Sequence, residues 1–250
     1  MKFLPEWIKK ILRQLENFFY PDFLRHIVWR VRCIIGRDFY VKPSINCNTV
    51  CLGNGDGKWC ICPDAIDDSS VIYSFGVGFD ISFDLAVIQQ FGAQVHGFDP
   101  TPLSEAWIKN QHTSSNFIFH SIGLANYDGI AEFSLPSNHS VSFTMSLDVR
   151  SKNKAKCEVY RFKSILKKLY HTKIDIVKLD IEGAEYDVIP DLLEKKNDIG
   201  QLLVEFHHRM IKDGTGLERT KRAIKMIEEA GFSLFYVSPR GLEYCFLRTN

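Results

Sequence analysis

The sequence predicts an α/β fold built on a mostly parallel, doubly wound sheet, and three observations carry that reading. From Val71 onward, apolar runs alternate with amphipathic stretches, the pattern of strands joined by crossover helices. Two glycines, Gly76 and Gly78, break the chain directly after the first apolar run, "VIYSF". The last two runs, "FSLFYVS" and "LEYCFLR", are joined by the short "PRG" turn, so they must lie antiparallel and end the sheet in a C-terminal hairpin.

The elements follow in order. After strand "VIYSF" come helix "ISFDLAVIQQF", closed by Gly92, strand "QVHGFD", helix "PLSEAWIKNQ" and strand "FIFHS". A hairpin-like region follows, with "DGIAEFSL" and "SVSFTM" as its arms. Helix "FKSILKKL", strand "IDIVKLD", helix "AEYDVIPDLL" and strand "GQLLVEF" come next, and helix "GLERTKRAIKMIEEA" leads into the terminal hairpin. Residues 1–65 read as a helical N-terminal extension with a hairpin cap, and residues 66–250 as the main domain.

Before that domain, Pro5 stands at a first helical turn, and Trp7, Ile8, Ile11, Leu12, Leu15, Phe18 and Phe19 form an apolar stripe opposite Lys9, Lys10, Arg13 and Glu16. The stripe suits packing on the domain, a homodimer contact, or an in-plane membrane anchor. Its charges interrupt any apolar core of a secretion signal. No run reaches the roughly 18 uninterrupted apolar residues of a spanning helix, so the expected setting is soluble and cytoplasmic, with membrane contact confined to the periphery.

The chain has 250 residues, 45% hydrophobic and 24% charged, enough for one substantial domain with a normal core. Its 31 Lys and Arg against 30 Asp and Glu leave no global field to recruit nucleic acid. Of seven cysteines, Cys47, Cys51, Cys60 and Cys62 cluster without the paired spacing of a zinc knuckle. The stretch between Cys51 and Cys60 reads as a hairpin turn that brings those two together, with a disulfide or two free thiols as the alternatives.

In an open parallel sheet, ligands bind beyond the carboxyl ends of the strands, where strand order reverses. Gly76 and Gly78 sit at that place, and lacking a Cβ they let a ligand lie against backbone. Asp99 ends the next strand and suits the hydrogen bonds of a ribose diol. Ile81 takes the position of the third glycine in the dinucleotide fingerprint, which counts against an NAD-linked oxidoreductase. A second informative stretch is "IDIVKLDIEGAEYDVI", where a buried-type strand carries Lys178 and ends in Asp180 and Glu182. Acids there are expected where a strand end opens into the crevice, or as a helix N-cap.

"VIYSFGVGFDISFD", "HGFDPTP" and above all "DIVKLDIEGAEYDVI" resemble the FkbM family of S-adenosylmethionine-dependent methyltransferases. The resemblance covers roughly residues 50–248 and implies the Rossmann-like class I methyltransferase fold, a seven-stranded sheet whose last strand is antiparallel. It also implies O-methylation of a small molecule or glycan. By position, Gly76 and Gly78 would underlie the methionine and ribose of S-adenosylmethionine, Asp99 would hold the ribose, and Ser121 and Ile122 would flank the adenine. Asp180 would lie near the methionine end. Where many members carry an acid, this chain has Ser74, and Asp80 or Asp84 would supply the missing carboxylate to the cofactor's ammonium group.

Methyl transfer to a hydroxyl needs a proton acceptor. Beyond strand "GQLLVEF", His207 is the expected base, with Glu205 orienting it or binding acceptor hydroxyls. The alternative is a divalent cation on Asp180, Glu182, Glu205 and His207, since carboxylate-rich sites suit magnesium or manganese. His120 and His139 are weaker candidates, and "SLPSNHSVSFTM" reads as a substrate-facing lid. A nucleoside-binding module without turnover is the remaining alternative to an enzyme.

Overall fold

A computed structural model of the chain describes residues 22–134, 154–194 and 198–250, which fall into two units. In the smaller, residues up to Val41 join Ser238–Gly241. Its helix α1 (Asp22–Ile34) carries Asp22 in the first turn and Arg32 in the last, complementing the helix dipole. Arg32 and Asp38 form a buried ion pair with Nε and Oδ2 2.7 Å apart. The expected helix over Pro5–Phe19 lies outside the described residues.

The larger unit begins with a hairpin, β1 (Val50–Leu52) and β2 (Trp59–Ile61), turned by the glycines of Gly55–Gly57. Cys51 and Cys60 pair across it in register and are joined by a disulfide; bonds of this kind persist in oxidising compartments. Five crossover units follow the pattern read from the sequence. Strand β3 (Val71–Phe75) leads to α2 (Ser82–Phe91), which stops at Gly92 in the left-handed conformation. Strand β4 (Gln94–Phe98) leads to α3 (Pro102–Ile108), capped by Thr101 and opened by Pro102, and then to β5 (Phe117–His120).

Three short strands, β6 (Gly123–Leu124), β7 (Gly129–Ser134) and β8 (Lys154–Tyr160), form a separate sheet in the order β6-β8-β7. The expected arm "SVSFTM" lies outside the described residues; the partner of β7 is β8, a segment the sequence reading passed over. Its Lys and Glu residues are exposed and only Cys157 and Val159 are buried, so it presents no apolar run.

The main sheet then resumes with α4 (Phe162–Leu169), β9 (Lys173–Leu179), α5 (Glu185–Leu192), β10 (Asp198–Glu205), α6 (Gly216–Glu229), β11 (Phe232–Val237) and β12 (Glu243–Arg248). Its seven strands run in the order β11-β12-β10-β9-β3-β4-β5, and β12 is antiparallel to both neighbours. The central strands are apolar along their length because helices cover both faces: Ile72, Phe75, Val95, Ile176, Leu179 and Leu203 are all buried. From β3 the chain winds outward to β4 and β5, then returns to place β9 on the opposite side of β3. That reversal puts the switch point between the carboxyl ends of β3 and β9. No described helix is long and apolar enough to cross a membrane.

Candidate functional site

At the switch point the two glycines divide the work expected of both. Gly76 has φ +82, and a Cβ there would stand on the Asp180 carbonyl oxygen, far inside van der Waals contact. Glycine is therefore needed for the end of β3 to lie against the end of β9. Gly78 has φ +53 and nothing within 4 Å of where its Cβ would be, so its backbone faces open space. Its N–H donates to Asp99 Oδ2 at 2.9 Å, while Asp99 Oδ1 accepts from the Thr101 N–H (2.9 Å) and hydroxyl (2.6 Å). The carboxylate is thus fixed in orientation at the end of β4, directly beside the open glycine.

Beneath the loop lies a buried polar group. Ser74 and Lys178 are register partners on β3 and β9, and both, with Asp84, are buried. Lys178 Nζ donates to the Gly76 carbonyl at 3.3 Å and lies 5.4 Å above the Trp59 ring. Burial raises the Asp84 carboxyl above its ordinary range, opposed by the Lys178 charge. Asp80 Oδ1 accepts from the Ser82 N–H at 2.7 Å and so serves the start of α2. Of the two carboxylates expected to serve the cofactor's ammonium group, Asp80 is exposed, with Oδ1 engaged at the start of α2 and Oδ2 beside Gly57, and Asp84 is buried near Ser74. After β5, exposed Ser121 donates to Glu105 Oε2 at 3.1 Å, and Ile122 is half-buried.

Across the switch point, the ends of β9 and β10 bring a second cluster together. After Asp180, Glu182 adopts a left-handed backbone, φ 54, followed by Gly183 at φ 104. This turn carries Glu182 Oε2 to 3.4 Å from His207 Nε2, with Asp180 Oδ1 at 3.7 Å from the same nitrogen. Asp180 is not a helix cap; α5 starts after Ala184, without a side-chain cap. Buried Glu185 closes the arrangement: its Oε1 accepts from the Ile181 and Gly183 N–H groups, each at 3.1 Å, and bonds His207 Nδ1 at 2.8 Å. Glu185 therefore orients the ring through Nδ1. Sequence reasoning missed it because a Glu in a helix's first turn has an ordinary explanation in the dipole.

One donor atom from each of Asp180, Glu205 and His207 lies within 4.8 Å of the other two. Burial alone would push the His207 pKa down, but Glu185, with Glu205 and Glu182, outweighs it and holds the ring up to about 10. At neutral pH that imidazole is charged, which changes its expected part from free base to hydrogen-bond donor. His120 turns inward instead, its Nε2 2.9 Å from His96 Nδ1; His139 and most of the expected lid, residues 135–145, lie outside the described residues.

An open glycine turn, a fixed acid on the adjacent strand and a carboxylate–imidazole cluster opposite thus stand together at the switch point of a seven-stranded sheet with the class I methyltransferase strand arrangement, the place where open α/β sheets bind ligands. Residues 37–234 match the methyltransferase FkbM domain, and the chain belongs to that family. It is 24% identical over 196 residues to "Probable methyltransferase-like protein 24" of Homo sapiens, covering 75% of this chain and 47% of that protein. The Rattus norvegicus protein of the same name is 26% identical over 167 residues, 66% and 39% of the two chains. The chain thus spans less than half the length of these curated relatives. Among solved structures, it resembles the Methanococcus jannaschii fibrillarin pre-rRNA processing protein (12% identity, TM-score 0.43, 73% of this chain and 67% of that one). Aeropyrum pernix fibrillarin, solved with natively bound S-adenosyl-L-methionine, is similar at 10% identity and TM-score 0.40, over 74% and 67%.

Proposed function

We propose that the chain is an S-adenosylmethionine-dependent O-methyltransferase acting on a hydroxyl of a small molecule or glycan. The observation that carries this reading is the contact of Gly76 with the Asp180 backbone. It joins the glycine turn to the carboxylate–imidazole cluster, so a nucleoside on one and a hydroxyl on the other meet at a single switch point. In this reading Asp99 accepts from the ribose hydroxyls beside the bare backbone of Gly78, Ser121 and Ile122 flank the adenine, and Asp180 borders the methionine end.

The acceptor lies toward Glu205 and His207. Transfer is an in-line displacement, so positioning is the main task, with acceptor oxygen and methyl carbon roughly 3 Å apart. The oxygen forms a bond to the methyl carbon as the carbon–sulfur bond breaks, leaving neutral S-adenosylhomocysteine. The hydroxyl proton passes to a part-exposed carboxylate, Asp180 or Glu182, while the His207 imidazolium balances the charge. Incubating the protein with labelled S-adenosylmethionine and panels of hydroxylated glycans and small molecules tests the reading. The expected result is label in an alkali-stable ether with matching S-adenosylhomocysteine release; label found on nitrogen or sulfur would contradict it.

A further inference from the structure

We infer that Asp180, Glu205 and His207 form a site for a divalent cation of the manganese class, an inference that rests on the acceptor-site reading above. Their donor atoms already converge within 4.8 Å. The 3.7 Å between Asp180 Oδ1 and His207 Nε2 is about 0.7 Å beyond the roughly 3.0 Å between adjacent donors of an octahedron with bonds of about 2.1 Å, so small side-chain adjustments close the site.

The ring is also prepared for a ligand's role. Its Nδ1 is fixed on a carboxylate, the outer arrangement that orients metal-binding histidines, and an ion at Nε2 would displace the proton that nitrogen carries in the metal-free protein and take over its charge-balancing part. A second observation points to a positive charge here: Glu185 has a fully buried side chain, and its Oε2 has no hydrogen-bond partner among the described residues. Asp180, Glu182, Glu185 and Glu205 thus surround one imidazole. A buried carboxylate oxygen without a donor is costly, and a nearby cation offsets that cost.

Mixed imidazole and carboxylate donors favour manganese over magnesium. Three protein donors leave positions for water and an acceptor hydroxyl, and Asp180, 30% exposed, opens the site to the cleft. A hydroxyl in such a position gives up its proton more readily, and Glu182 is the carboxylate left to take it.

The test is calorimetric titration of the full chain with Mn²⁺ alone, because this ion competes poorly for the chain's cysteine thiolates. One ion per chain is expected, with affinity falling at least roughly 10-fold in Glu205→Gln and in His207→Gln and unchanged in Asp187→Asn, an exposed carboxylate nearby. A readout that needs no variant is paramagnetic broadening: sub-stoichiometric Mn²⁺ should broaden the His207 imidazole resonances before those of any other histidine. No binding up to about 1 mM, equal binding in the Glu205 and His207 variants, or earlier broadening elsewhere would each overturn the site. Parallel titration with S-adenosylmethionine separates the two readings: a preparation that binds the nucleoside but not Mn²⁺ sinks the cation site and leaves the methyltransferase reading standing.

Discussion

His96, in the middle of β4, and His207, just beyond β10 at the switch point, are buried almost equally, 5% and 8% exposed, yet one is neutral and the other charged. Burial, helped by His120 and His171, pushes His96 down to about 4. At His207 the same burial is outweighed by the carboxylates of Glu185, Glu205 and Glu182, which hold the ring up to about 10. Burial disfavours the charged form in both places; the neighbours decide whether it survives. In the β4 half of the sheet the buried histidine is thus neutral, and in the β10 half it is charged and held among carboxylates.

The largest expected effect comes from breaking the seam between these halves. Gly76→Ala adds a Cβ against the Asp180 carbonyl at a left-handed φ, and should cost roughly 3–5 kcal/mol of stability in urea unfolding. Gly78→Ala, with open space around it, should cost only about 1–2 kcal/mol. Equal costs would refute the separate roles assigned to the two glycines.

A smaller change sharpens the contrast of charge. In metal-free protein, Glu185→Gln removes the carboxylate bonded to His207 Nδ1, and the pKa read from the ring's NMR shifts should fall by roughly one to three pH units. A His207 pKa that stays where it is would break the explanation offered for the charged half.

A pH-dependent effect belongs to the half with the neutral histidine. His96 is depressed in the folded state, and His120 and His171 shift in the same direction. Between an unfolded value near 6.5 and a folded value near 4, the unfolded chain binds more protons. The stability from a neutral His96 is therefore complete above about pH 6.5 and declines as pH falls toward 4. Melting temperatures from pH 7 to pH 4 should show that decline, and His96→Gln should flatten it; a slope of the same size in the variant would place its source elsewhere.

How much of this could be read beforehand depended on what each residue answers to. Strands β3 and β4 and helices α2, α4 and α6 were legible because apolar periodicity and end signals, such as Gly92 after α2, act locally. The antiparallel β12 followed from a turn too short for any crossover. Strand β8 escaped because its exposed lysines and glutamates bury only Cys157 and Val159. Asp99 was legible from its spacing to Gly78. Glu185 was not, since its bond to His207 spans 22 residues and depends on β9 and β10 lying side by side. The same limit hid why Gly76 must be glycine: the atom it avoids belongs to Asp180, on a different strand.

The most direct measurement is calorimetric titration with S-adenosylmethionine and S-adenosylhomocysteine, with NAD as control, on the native chain and on Asp99→Ala. Both sulfur nucleosides should bind and NAD should not, and Asp99→Ala should weaken binding roughly 10- to 100-fold, the loss of a pair of charge-assisted hydrogen bonds. Binding of NAD in their place, or affinity for the sulfur nucleosides unchanged by the loss of Asp99, would contradict the nucleoside site from which the methyltransferase reading is built.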